Sequence, residues 1–131
     1  MPRPPQKFYK KMDEIKDCKH NKNLGRKGEK QACRYLKRLG WKILERNWKN
    51  PYGEVDIIAE KDGVCAFIEV KTRLSDTYGA PSEAVTNSRK LKYIRGANCY
   101  FYGNDPDCTV RFDIIEIYRG EINHIENAFS S

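Results

Sequence analysis

Residues 53–73, GEVDIIAEKDGVCAFIEVKTR, constrain the fold more than any other stretch of this sequence. Two apolar runs flank Asp62-Gly63, and an Asp-Gly pair between such runs is a strong signal for a two-residue hairpin turn. With that turn, Lys61 faces Val64, Ile58 faces Phe67, Asp56 faces Glu69 and Glu54 faces Lys71. Directly opposed residues share one face of a sheet. Glu54, Asp56, Glu69 and Lys71 therefore project from the same end of one face. Val55, Ile57, Ala59, Ala66, Ile68 and Val70 make an apolar surface on the other. A three-residue loop would shift the register and scatter this set.

Two carboxylates opposed across a ladder repel each other, so something cationic should hold them there. Lys71 is one candidate. A divalent ion is the better one, because paired hard oxygen ligands suit Mg2+ or Mn2+. Lys71, two residues beyond Glu69, lies on the same face within reach of bound water or phosphate. That is equipment for metal-assisted phosphodiester hydrolysis, in which charge building on phosphorus is neutralised. The competing account is a structural salt-bridge cluster of the same four residues.

The remaining chain supplies a frame for this hairpin. Residues 24–39 read as an amphipathic helix ended by Gly40, with Ala32, Leu36 and Leu39 on its inward stripe. Glu29 falls on that stripe, and a carboxylate on an inward face needs a partner. Its plainer role is favouring the helix dipole from the first turn. Strands are expected at 41–48, 54–60, 64–71 and 109–118, with a short last one near 121–125, and a second helix at 88–102. Residues 75–85 read as a Gly-, Pro- and Ser-containing loop. The order helix, three strands, helix, one or two strands predicts an α/β or α+β fold with a mixed sheet flanked by helices. Residues 1–22, with three prolines among the first five, read as a flexible basic arm, and 23–131 as a single domain.

Charge is uneven along the chain. Residues 1–49 hold 16 Lys/Arg and 5 Asp/Glu, a net of +11, while residues 50–131 hold 9 and 13, a net of -4. A basic half of this size suits a polyanion, most simply nucleic acid, although lysine-rich helices are often only solvated faces. No apolar run approaches the ~20 residues of a membrane helix, and no signal-peptide stretch is evident, so no membrane association is expected. Five cysteines without a CxxC fit a reducing, cytoplasmic setting, with Cys33 and Cys65 as buried thiols. Cys18 and His20 lack further ligands to complete a metal site.

Asp56 with Glu69-Val70-Lys71 resembles the PD-(D/E)XK signature of the restriction-endonuclease-like superfamily. The surroundings extend the likeness: Gly28-Glu29 with Ala32, Tyr35 and Leu36; Gly53 to Ile58; Phe67 to Arg73; Ala84-Val85-Thr86 with Arg89 and Lys92; Arg111-Phe112-Asp113; and Ile125 to Phe129. Across roughly residues 24–129 these resemble the YraN-like family of uncharacterised bacterial proteins, predicted endonucleases of the Holliday-junction-resolvase-like branch. The resemblance implies a restriction-endonuclease-like fold, with Glu29, Asp56 and Glu69 as metal-site acids for Mg2+ or Mn2+ and Lys71 as the catalytic lysine. It makes Arg73, Arg89 and Lys92 candidate phosphate contacts, joined by Arg26 and Lys27 in the basic half. Arg89 stands where the family commonly has Lys. Asp113 matches a family position without an assigned role, its plainer reading being a sheet-edge or capping aspartate.

The expectation is therefore a metal-dependent DNA endonuclease acting on branched or recombination structures. Against it stand a non-catalytic nucleic-acid-binding module on the same fold and, third, a protein-interaction subunit using the sheet edge. Symmetric cutting of both strands needs two sites, which favours a homodimer on functional grounds. Trp41 and Trp48 read as packing residues, Tyr78, Tyr93 and Tyr100 as surface tyrosines open to nucleic acid, and His124 as ordinary.

Overall fold

The turn at Asp62-Gly63 forms as its chemistry dictates. Both residues have positive φ, 49° and 78°, the left-handed conformation that a two-residue turn matching strand twist requires. In the computed structural model, which describes residues 19–73, 87–102 and 106–129, this turn joins β2 (Gly53–Lys61) to β3 (Val64–Arg73). The register is the expected one from Lys61↔Val64 to Ile57↔Ile68. It is preceded by helix α1 (Lys19–Arg38) and strand β1 (Lys42–Asn50), and followed by helix α2 (Asn87–Tyr100) and strands β4 (Thr109–Tyr118) and β5 (Glu121–Phe129).

The five strands form one sheet in chain order, antiparallel except for the parallel pair β3–β4. A parallel pair needs a crossover, and α2 lies on it. The fold is therefore a mixed α+β sheet with helices packed on it, as the element order predicts. Helix α1 starts at Lys19, ahead of the expected residue 24, because its first five residues are polar and give no apolar period. The rest of the expected arm, the 75–85 loop, Cys18 and Tyr78 lie outside the described residues.

Each face of the sheet carries its own core. Ala32, Cys33 and Leu36 of α1 and Trp41 pack with Ile57, Ala59, Ala66, Ile68, Ile115 and Ile117. Tyr93 and Ala97 of α2 pack on the other face with Trp48, Val55, Ile58, Phe67, Phe112 and Phe129. Trp41, Trp48, Cys33 and Cys65 are buried, as expected. Tyr93 is buried rather than surface-lying, and Tyr100 is half-buried, edge-on to Trp48 and Phe67.

Two expectations about packing faces also fail. Leu39 is 46% exposed rather than inward. The helix closes with Gly40 N–H donating to Lys37 O and Trp41 N–H to Leu36 O, around Gly40 at φ 96°, and this C-terminal motif swings Leu39 out. Val55 lies in the α2-side core, opposite to Ile57. The β1–β2 register passes from Arg46↔Ile57 to Trp48↔Val55 and skips Asn47 and Asp56, with Asn47 left-handed at φ 50°, so strict alternation breaks there.

The far strand is tied to α1 by polar groups. Asp113, fully buried, accepts from Arg111 Nε and Nη2, from the Asn127 backbone N–H, and pairs with His124 Nε2 at 2.8 Å. His124 Nδ1 meets the Tyr35 hydroxyl at 3.0 Å, and Gln31 Nε2 donates to Gly120 O at 2.9 Å. Asp113 is thus an interior junction rather than an edge or cap residue.

The seat of α1 on β3 is tight at Gly28, where a Cβ would lie 2.2 Å from Thr72 Oγ1 and 3.5 Å from Ile117 Cδ1. Glycine to alanine inside a helix ordinarily stabilises by about 0.5–1 kcal/mol. Here Gly28→Ala is expected to destabilise instead, by a net of about 1 kcal/mol, because overpacking costs about 1–3 kcal/mol. Thr72→Ala in the same chain should recover the loss, since the Thr72 Cβ would still be at an ordinary 3.6 Å. Urea melts of the single and double variants check both signs.

Candidate functional site

Asp56 stands where the ladder is interrupted on one side of its strand and ends on the other. The β1–β2 ladder skips it, and the β2–β3 ladder ends one pair earlier, at Ile57↔Ile68. Its Oδ2 accepts from the Val70 backbone N–H at 2.9 Å, so a side-chain carboxylate replaces the carbonyl that a continuing ladder would offer. This leaves room at the sheet end for other acids. Glu29 reaches in from α1 and is hydrogen-bonded to the side chain of Asn47, the other skipped residue. One Glu29 oxygen, Oε1, is buried without a hydrogen-bond partner. Buried polar atoms are nearly always paired, so this oxygen is open to a further partner.

The electrostatics follow from this crowding. Burial pushes the Glu29 carboxyl above the usual carboxylate range, and Glu54 adds to the push while the Asn47 bond opposes it. Burial also raises Asp56, to about 7; Glu29 and Glu54 reinforce it, and the Val70 N–H and Arg89 oppose it. Glu69 is buried and is ion-paired with Arg89 from the first turn of α2. One turn further along α2, the buried Tyr93 hydroxyl contacts the Asp56 backbone, and burial followed by the Asp56 charge holds its pKa well above normal. Arg89 and Tyr93 thus reach the site together at i and i+4.

Lys71 is half-buried, two residues along β3 from Glu69. Burial lowers its pKa, Arg73 lowers it further and Glu116 opposes both. The parallel ladder sets Lys71 beside Glu116, not beside Glu54 as the hairpin register alone suggests. Glu54 instead pairs with Lys49 across β1–β2, at 3.3 Å. Arg73 Nε lies 3.6 Å from Glu116 Oε2, while Glu116 Oε1 is buried without a partner. Lys92, Arg26 and Lys27 are exposed.

The structure therefore joins Glu29, Asp56 and Arg89 electrostatically, joins Arg89 to Glu69, and sets Lys71 and Arg73 around Glu116. Among the described residues, no three His, Cys, Asp or Glu side chains stand grouped to hold a metal ion. The donors still fit a hard divalent cation in kind: they are carboxylate oxygens, one of them orphaned, and burial leaves their negative charge only partly compensated.

Residues 28–117 match the profile described as uncharacterised protein family UPF0102. The chain belongs to the UPF0102 family. A UPF0102 protein of Thermodesulfovibrio yellowstonii is 45% identical over 106 residues, covering 81% of this chain and 95% of that protein. One of Persephonella marina is 42% identical over 106 residues, covering 80% and 91%, and one of Flavobacterium psychrophilum is 38% identical over 116 residues, covering 86% and 97%. The family likeness carried by the Gly28-Glu29, Gly53–Ile58 and Phe67–Arg73 segments is borne out. The UPF0102 match spans Glu29, Asp56, Glu69, Lys71 and Glu116 alike.

Asn47 and Glu116 escape a reading of this UPF0102 chain from its residues alone, and Tyr93 belongs to the site from the interior rather than the surface. Glu116 carries a usable signal, an acid inside the apolar run Phe112–Tyr118, the same anomaly that marks Asp56. His124 is bonded at both ring nitrogens rather than ordinary.

A pH dependence follows from Asp56. Its folded pKa, about 7, exceeds the unfolded value near 3.8, so the folded state binds the extra proton between them. The contribution of Asp56 is thus most favourable below the unfolded value and becomes less so as pH rises to about 7. Asp56→Asn keeps an acceptor for Val70 N–H and cannot ionise. Its Tm relative to wild type should climb between pH 5 and pH 8; a constant difference across thermal melts would show that Asp56 ionises normally.

Proposed function

We propose that this protein is a metal-dependent endonuclease that hydrolyses phosphodiester bonds in DNA, acting on branched or recombination intermediates. The observation that carries the reading is the pair Glu29 and Asp56, crowded together with an orphaned carboxylate oxygen at the point where the sheet opens. A fold gains nothing in stability from such a pair, whereas a cation-assisted reaction needs it. Asp56, Glu69 and Glu29 would hold Mg2+ or Mn2+, which when bound lowers the pKa of water and neutralises phosphoryl charge.

The chain's own groups supply the rest. Lys71 Nζ, whose pKa burial lowers, can hydrogen-bond a phosphoryl oxygen and gives up a proton more readily than a free lysine. Arg89, 48% exposed in its side chain, can turn from Glu69 to a phosphate; Lys92, exposed on the same helix, and Arg73, beside Glu116, are the further phosphate contacts of this reading. In hydrolysis water oxygen forms the new bond to phosphorus, one ester P–O bond breaks, and the leaving oxygen takes up a proton. The reading includes a cytoplasmic setting, in keeping with the free thiols of Cys33, Cys65, Cys99 and Cys108. Among the described residues no helix is long and apolar enough to cross a membrane. A homodimer belongs to the reading where both strands are cut.

A second reading, a nucleic-acid-binding module without turnover, is favoured by one observation: Arg89 already neutralises Glu69. Incubation of nicked, flapped and four-way DNA with Mn2+ separates the two. Cleavage is expected for wild type, with Glu69→Ala and Lys71→Ala each slower by about 100-fold or more, the scale of removing one transition-state charge stabiliser. Mn2+ should raise the Tm of wild type and not of Glu69→Ala. Retained binding with no cleavage of any substrate would leave the module.

A further inference from the structure

The outward side of α1 is a single-sign surface. At about 100° per residue, Arg26, Lys27, Lys30, Arg34, Lys37 and Arg38 fall within a sector of about 120°. All six are exposed. The only acid between residues 25 and 38 is Glu29, which turns inward to Asn47. Among the described residues none of the six is ion-paired. A solvated helix commonly intersperses Glu at i and i+4 from its cations, which stabilises it; here Arg26, Lys30, Arg34 and Arg38 repel in series along one row. The neighbouring edge strand continues the field, since Lys42 and Arg46 are exposed and the Arg46 charge reaches both Glu29 and Cys33. Other cations are engaged locally: Arg95 stands over the Tyr52 ring, and Arg111 is held by Asp113 and Trp41.

We propose that this face of α1 is the docking surface for the sugar-phosphate backbone of a duplex DNA arm adjoining the phosphate at the acidic site. The inference rests on the nuclease reading for the class of partner and for the position of the reacting phosphate. A regularly charged polyanion suits a row of cations spaced by helical turns. An anionic membrane suits it less, because an interfacial helix needs a free apolar face and that of α1 is covered by the sheet. Glu29 lies near one end of the row, so the arm leads from the acidic site toward Arg38. Arg26 to Arg38 spans about 18 Å at ~1.5 Å per residue. That length corresponds to about 5 base pairs at ~3.4 Å each.

The test is binding of a labelled 20-base-pair duplex, with chelator present, across a salt series. Lys30→Gln/Arg34→Gln is expected to weaken binding at least tenfold near 150 mM salt and to lower the log–log salt slope by about 2, at ~0.9 for each phosphate no longer neutralised. Arg95→Gln, on α2 at the opposite face of the sheet, should change affinity less than twofold. Equal weakening in both variants, or an unchanged slope in the double variant, would overturn the assignment. So would a double variant that no longer adsorbs to phosphatidylserine vesicles while keeping the duplex. Cleavage is read separately with Mn2+. A protein that binds through α1 yet cuts nothing refutes the nuclease reading alone, and one that cuts while the double variant binds normally refutes the surface alone.

Discussion

One hydrogen bond, from the Val70 backbone N–H to Asp56 Oδ2, organises the open end of this sheet. A strand that continued its ladder would satisfy Val70 with a main-chain carbonyl and leave no gap. Substituting a carboxylate satisfies the donor and holds an acid at the sheet end. The same residue is skipped on its other side, where Asn47 turns left-handed and spends its side chain on Glu29. Acids from a helix and a strand therefore meet because two ladders fail at one position.

Such a local failure is tolerable only on a rigid support. The two-sided core provides it, with Phe67 edge-on to Tyr100 and Phe101 on the α2 face and Leu36 fully buried on the α1 face. The Asp113 junction adds a polar clamp that ties β4, β5 and α1 together through Arg111, His124 and Tyr35. A buried carboxylate with four hydrogen bonds is held below its usual pKa despite its burial, whereas at Asp56 burial, reinforced by two acidic neighbours, outweighs a single backbone donor and raises it. The contrast separates an acid built into the frame from one held in reserve.

Much of this was legible in the sequence. Asp62-Gly63 set the hairpin register, and the misplaced acids at Asp56 and Glu69 pointed to the sheet end. The inward position of Glu29 followed from helical periodicity, because 3.6-residue spacing is local information. What was not legible depended on departures from regularity or on partners distant in the chain. The left-handed Asn47 and the changed face of Val55 break the period on which strand reading relies. The neighbours of Lys71 depended on which strand adds in parallel beside β3, a choice the hairpin does not encode. His124 has no local motif, and its partners lie 11 and 89 residues away.

The pairing of Arg89 with Glu69 has a consequence for charge balance. A guanidinium occupies part of the space where a cation would be wanted, so the cleft is nearer neutrality than its acids suggest. On the proposed reading, an arriving positive ion would replace one cationic partner by another rather than fill a bare anion. The displaced guanidinium, mounted on an exposed first turn, would then be free to meet an anion. Uptake of a cation and capture of a phosphate would be two halves of one exchange.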